Sequence, residues 1–277
     1  MELFKPYSLG TNLMKGYSLE EALPLIKECG FLYAELASIF NMCEHIDPKD
    51  ITPEYAAYVK ILLEKSGLQC HAVSGHVDLT VDEQFRDFLK KIEFTGRIGA
   101  KILNTNSGPP ERIDIFYKNM SAVIAQAEKW NVIIGLESHG DIISTARESA
   151  HIFKRFHHPL VRLNYDTGNT LFYSNGTVVI EEDIKYGLEY LEHIHLKDIH
   201  IEGQSVEYRP IGDGDINFSG VFAALKELGR PIPCGLEIPV HVKGVLGNIK
   251  PVNVPMPKED ILLAVKRSTD YVEALLR

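Results

Sequence analysis

The feature that most constrains this chain is a regular alternation of short apolar runs with longer amphipathic stretches, repeated eight times from end to end. Strands are expected from about Tyr7 to Leu13, Tyr33 to Ser38, Gln69 to Val77 and Ile102 to Asn106. Four more are expected around Glu137, Asp166, His195 and Glu237. Between them, Ser18-Leu-Glu-Glu21 has capping-box spacing, and an apolar stripe follows it until Gly30, where a helix should stop. Thr52-Pro-Glu-Tyr55 opens a second helix, and Asp82 to Ile98 reads as a third. Arg112 to Trp130 carries Ile113, Phe116, Met120, Val123, Ile124 and Ala127 at helical intervals. Ser144 to Phe156, Glu181 to Tyr190, Phe218 to Leu228 and Lys258 to Leu276 complete the set. Parallel strands need crossovers, and eight of them close a sheet around a filled core. The expected fold is therefore α/β, a single (β/α)8 barrel over residues 1–277. A doubly wound open sheet is disfavoured because no GxGxxG follows the first strand, and Gly212-Asp-Gly214 comes late, in a polar loop.

Chemistry-bearing residues sit at matching places in successive units. Glu137 ends Val132-Ile-Ile-Gly-Leu-Glu, Asp166 ends Val161-Arg-Leu-Asn-Tyr-Asp, and Glu237 ends Pro233-Cys-Gly-Leu-Glu. In His193-Ile-His-Leu-Lys-Asp-Ile-His200, alternation places His193, His195 and Lys197 on one side of an extended segment. The intervals from Glu137 to Asp166, to His195 and to Glu237 are 29, 29 and 42 residues, and a strand, helix and two loops occupy about 30 residues. Singly, such an acid is as well explained as a loop cap, and such a histidine as a satisfied core group. Their recurrence points to one mouth of a barrel, where active sites are built. Three carboxylates gathered there would repel one another without a cation. Oxygen and nitrogen donors suit one divalent ion, Mn²⁺ first, with Mg²⁺, Co²⁺ or Zn²⁺ as alternatives.

The net charge of −9 disfavours a nucleic-acid partner, which usually meets a basic face. No apolar run of membrane-spanning length occurs, and Met-Glu-Leu-Phe-Lys-Pro6 lacks the pattern of a signal peptide. Cysteines 29, 43, 70 and 234 form no CxxC pair, as suits reduced thiols. A cytoplasmic enzyme is expected, assembled as a homo-oligomer (dimer or tetramer).

The chain resembles the xylose isomerase-like superfamily of sugar isomerases and epimerases. The resemblance rests on Ser18-Leu-Glu-Glu-Ala22, Gly30-Phe-Leu-Tyr-Ala-Glu-Leu36, Gly135-Leu-Glu-Ser-His139, Tyr165-Asp-Thr-Gly-Asn169, His193-Ile-His-Leu-Lys-Asp198, Gly212-Asp-Gly-Asp-Ile-Asn-Phe218 and Gly235-Leu-Glu-Ile-Pro239. It implies metal ligands at Glu137, Asp166, His195 and Glu237, with Glu137 and Glu237 doubling as the catalytic acid/base pair on opposite faces of a sugar carbon. It also implies that Arg209 anchors substrate. Asn169 stands where several epimerases and dehydratases carry histidine, and an amide cannot shuttle a proton at neutral pH. His76, His139 and Lys197 are further candidates for substrate contact. Glu35, ending the second strand, either lines the pocket or makes an ion pair.

The expected reaction is proton abstraction beside a carbonyl through a metal-stabilised enediolate, giving epimerisation or isomerisation of a sugar or polyol derivative. A dehydratase or lyase acting on a keto-sugar or ketoinositol could use the same site. A phosphodiesterase resembling endonuclease IV would need more histidines and a basic groove. The segment from Val240 to Pro257 is expected to be a long loop that shapes the pocket or an oligomer contact.

Overall fold

A computed structural model describes residues 3–240, 242–246, 248–251 and 254–277. In chain order its elements begin with β1 (Phe4–Gly10), α1 (Leu19–Glu28), β2 (Tyr33–Ile39), β3 (Cys43–Glu44), α2 (Pro53–Lys65), β4 (Gln69–Ser74) and α3 (Asp82–Ile98). Then come β5 (Ile102–Thr105), α4 (Ile113–Trp130), β6 (Ile133–Glu137), α5 (Ala146–Phe156), β7 (Val161–Asp166), α6 (Thr167–Tyr173) and α7 (Ile180–Asp183). The chain continues with β8 (Leu191–Leu196), β9 (Asp198–Glu202), β10 (Ser205–Arg209), α8 (Phe218–Lys226), β11 (Ile232–Leu236), β12 (Val242–Val245), β13 (Asn248–Pro251) and α9 (Lys258–Leu276).

Eight parallel strands, in the order β1, β11, β8, β7, β6, β5, β4, β2, close on themselves because β1 pairs with both β11 and β2. This is the expected (β/α)8 barrel. Local signals place its helices. Ser18 and Glu21 form the capping box of α1, Thr52 caps α2 ahead of Pro53, and Gly99 ends α3 at φ 86°. Alternation then sorts each barrel strand. Ile134, Leu136, Leu163, Tyr165, Ile194, Leu196 and Leu236 join the hydrophobic core, while Glu137, Asn164, Asp166, His193 and His195 face the polar centre.

Three expectations shift. The first strand is Phe4–Gly10 rather than Tyr7 to Leu13, because Thr11–Met14 turns as a 3-10 helix whose residues are all buried. The helix expected from Glu181 to Tyr190 is instead a short α6 straight after β7, then α7 and a 3-10 turn at Ile184–Gly187. Asp166 makes that early start: its carboxylate accepts from the Asn169 N–H at 2.7 Å as the N-cap of α6. Finally, the polar stretch after β8 and much of Val240 to Pro257 form an antiparallel sheet ordered β13, β12, β10, β9. Residues 241, 247, 252 and 253 of that segment lie outside the described residues.

Asp198, the acid of the His-Leu-Lys-Asp run, ties this sheet to the loop before α8. Its Oδ2 accepts the N–H groups of Gly212 and Gly214 at 2.8 and 2.9 Å. Gly212 adopts φ 94°, and a Cβ on Gly214 would fall on the Asp198 carboxylate.

Candidate metal and active site

The carboxyl ends of β6, β7, β8 and β11 converge. One ligand atom each from Glu137, Asp166 and His195 lies within 4.8 Å of the others. His195 Nδ1 stands 2.8 Å from Glu137 Oε2, 3.6 Å from Asp166 Oδ2 and 3.7 Å from Glu237 Oε2. All four side chains are buried. Asp166 Oδ2 and Glu237 Oε2 accept no well-directed hydrogen bond, although the Lys197 ammonium pairs with both oxygens. Carboxylate oxygens that face one imidazole nitrogen without a directed hydrogen bond are a donor set that fits a hard divalent cation.

Neighbours fix each donor. Glu137 Oε2 accepts from Asn164 Nδ2 at 2.7 Å and lies 2.8 Å from His76 Nε2, while its Oε1 accepts from Asn169 Nδ2 at 2.9 Å. Glu237 Oε1 accepts from Asn12 Nδ2 at 2.6 Å. The far nitrogen of His195, Nε2, lies 2.8 Å from Glu35 Oε1.

These surroundings push the two glutamates apart. Burial favours the neutral form of Glu137, but His76 and His195 hold its pKa well below the ordinary carboxylate range. Burial raises the pKa of Glu237 despite the nearby Lys197 and His195. Burial likewise works against charge on Lys197, yet Asp166 and Glu237 hold its pKa well above the ordinary lysine value.

A cavity of about 470 Å³ opens onto this cluster. Glu137, Glu237, His76, His139, Asn169 and Lys197 line its polar floor; Phe40, Met42, Tyr173, Tyr208, Pro239 and Val242 supply apolar walls. Tyr208 and Val242 come from β10 and β12, so the extra sheet forms one side of the mouth. His139 is half-buried against the Tyr173 ring, 4.7 Å between centroids. Arg209 is the sequence candidate that the fold places elsewhere. It is absent from the cavity lining and turns toward Glu207 at 3.3 Å and the Asp213 carbonyl at 3.4 Å. Its strand β10 alternates, so Tyr208 takes the inward position beside it.

Residues 23–261 match the family signature of the xylose isomerase-like TIM barrel. The chain belongs to that family. An uncharacterized protein of Methanocaldococcus jannaschii is similar to this xylose isomerase-like barrel, at 28% identity over 123 residues. That match spans 43% of this chain and 41% of the relative, so less than half of the relative's length is covered. Among solved structures, D-psicose 3-epimerase from Clostridium cellulolyticum H10, with D-tagatose, aligns at a TM-score of 0.75 and 14% identity, covering 98% of this chain and 99% of that one. A probable 3-DHS dehydratase from Bacillus anthracis, involved in petrobactin synthesis, aligns at a TM-score of 0.69 and 13% identity, covering 97% and 99%. Identities this low carry the fold alone. No helix among the described residues of this xylose isomerase-like barrel is long and apolar enough to cross a membrane.

Sequence reasoning did not single out Asn12, Asn104, Asn164 or Tyr208. Asn164 shares strand parity with Asp166 and could have been found from alternation. Asn12 and Tyr208 carry no such signal, because a 3-10 turn and an added sheet bring them in.

Proposed function

We propose that this chain is a divalent-metal-dependent isomerase or epimerase of a small sugar or polyol derivative, with the cation held by Glu137, Asp166, His195 and Glu237. The observation that carries the reading is the convergence of Asp166 Oδ2, Glu237 Oε2 and Glu137 Oε2 on His195 Nδ1 at the floor of the cavity. When bound, the ion would polarise a substrate carbonyl and make the neighbouring C–H acidic.

The chain's own residues do the rest. Glu137, kept ionised by His76 and His195, is the base that takes the proton. Glu237, the second carboxyl lining the cavity, is the group that returns one. Asn169, held between Glu137 Oε1 and the Lys197 ammonium, offers its amide to a substrate hydroxyl. The apolar walls exclude water from the reacting carbon. The same reading treats residues 1–277 as one domain, with Mn²⁺ as the first metal to test and a small-molecule substrate.

A dehydratase is the second reading, favoured by the ammonium of Lys197 beside Glu237, which could assist departure of a β-hydroxyl. Incubating Mn²⁺-loaded protein in D₂O with a panel of ketoses and ketoinositols separates the two. Epimerisation or isomerisation gives an isomeric product, with any proton exchanged with solvent replaced by deuterium. Elimination gives a product lighter by one water. No turnover of any member with any divalent ion would refute both.

A further inference from the structure

We infer that Glu35 is a positioning residue that selects Nδ1 of His195 as the metal-binding nitrogen. The inference rests on the metal reading above. Glu35, on β2, sits across the barrel from the proposed ligands, is 1% exposed and is absent from the cavity lining, so it meets the proposed ligand set at His195. Its Oε2 lies 3.6 Å from His193 Nε2, and Glu35, His193 and His195 are themselves close enough to hold an ion.

Glu35 Oε1 accepts from Ser74 Oγ at 2.8 Å and Asn104 Nδ2 at 2.9 Å and lies 2.8 Å from His195 Nε2. An ionised carboxylate offers no hydrogen, so a neutral His195 facing it must carry its own on Nε2. The lone pair is then on Nδ1, which faces the oxygens of Glu137, Asp166 and Glu237. A lone pair aimed at three carboxylates is tolerable when a cation stands between them. With the opposite tautomer, an imidazole lone pair would face Glu35 Oε1 and Nδ1 could not coordinate.

Asn164 on the other side of the ring is consistent with the same tautomer, because an N–H aimed at Nδ1 needs the lone pair there. Asn164 Nδ2 lies 2.7 Å from Glu137 Oε2 and 3.2 Å from His195 Nδ1, so its two hydrogens can serve both, and its oxygen lies 2.9 Å from His193 Nδ1. The barrel also makes room for the contact. At Gly235 on β11, a Cβ would fall on Glu35 Oε2 and lie 3.0 Å from His195 Cδ2. Only glycine leaves open the space in which Glu35 meets the ring.

Two measurements test this. In ¹⁵N-labelled wild-type protein loaded with Zn²⁺, long-range ¹H–¹⁵N correlations should show His195 protonated on Nε2 and coordinated through Nδ1. In calorimetric titration with Mn²⁺, Glu35→Ala should bind about 10–100-fold more weakly than wild type. Glu35→Gln, which keeps an acceptor oxygen, should fall between the two, with circular dichroism and melting reporting that each variant is folded. Coordination through Nε2, or folded variants that bind Mn²⁺ as tightly as wild type, would overturn the assignment and leave the metal reading standing. If a variant does not fold, the wild-type spectrum decides. A wild-type chain that takes up neither ion overturns the metal reading, and this assignment with it.

Discussion

The Lys197 ammonium stands 2.8 Å from Asp166 Oδ2 and also pairs with Glu237, so a side-chain cation sits among the carboxylates proposed to hold a metal. Its stem passes over Gly168, where a Cβ would lie 2.7 Å from Lys197 Cγ. A metal bound there would therefore compete with the lysine for the same oxygens.

Lys197→Met should have effects of opposite sign. In metal-free protein it leaves buried carboxylates uncompensated, a loss of about 3–5 kcal/mol of stability. Mn²⁺ should nonetheless bind at least about tenfold more tightly, because the charge repulsion it removes is worth a few kcal/mol at such distances. Urea unfolding without metal and calorimetric titration with Mn²⁺ read the two effects. Weaker Mn²⁺ binding by this variant would mean that Lys197 supports the ion instead of competing with it.

The two glutamates should separate in their variants. Glu137→Gln and Glu237→Gln should each lower kcat about 10²–10⁴-fold by removing a proton carrier. With the assigned roles, proton abstraction, followed as wash-in of solvent deuterium into the substrate, should vanish in Glu137→Gln. It should persist in Glu237→Gln, where only return of the proton to the opposite face is lost. The reverse pattern would exchange base and acid.

Arg209 points to a negative result. It lies outside the cavity lining and pairs with Glu207 and the Asp213 carbonyl, so Arg209→Ala should change KM by no more than about twofold, the scale of a surface substitution. Asn169→Ala, which empties a position on the cavity floor, should raise KM much further. A large KM effect from Arg209 would place the substrate's far end over β10.

Much of this was legible in the sequence, for reasons that differ by residue. The barrel could be read because period-two strands alternate with period-3.6 helices eight times. Glu137, Asp166 and Glu237 could be read because each closes an apolar run at the same place in its unit. Alternation put His195 on one side with His193 and Lys197, and its 29-residue interval from Asp166 together with the family resemblance singled it out. What escaped depends on contacts between distant segments. The partner of Glu35 is 160 positions away, and Asn12 meets Glu237 across 225. Nothing local in β10 told Tyr208 from Arg209 as the inward residue until the added sheet set the register at Tyr208 against Ile199. The sixth helix was misplaced because Asp166, read as a proposed ligand, also caps α6 and starts it at once.

Lys91 supplies a pH prediction far from the metal. Its ammonium, buried beneath the ends of β2 and β4, donates to the Ser38 carbonyl at 2.5 Å and the Gly75 carbonyl at 3.2 Å. Burial brings its pKa down to about 8 from the ordinary 10.5, with Glu44, Asp87 and Asp47 opposing the shift. Between those two values the unfolded chain holds the proton that the folded chain has released, so stability rises with pH across that window, and the burial cost is fully present below it. Wild type should therefore gain about 2–3 kcal/mol relative to Lys91→Met as pH rises from about 7 to about 10, measured by urea unfolding. A difference that stays flat with pH would contradict a buried, charged Lys91.

The most direct measurement is anomalous diffraction from crystals soaked in Mn²⁺. The account predicts a single strong peak within coordination distance of Glu137, Asp166, His195 Nδ1 and Glu237, with the Lys197 ammonium moved off Asp166. A peak elsewhere, or none at saturating Mn²⁺, would contradict it.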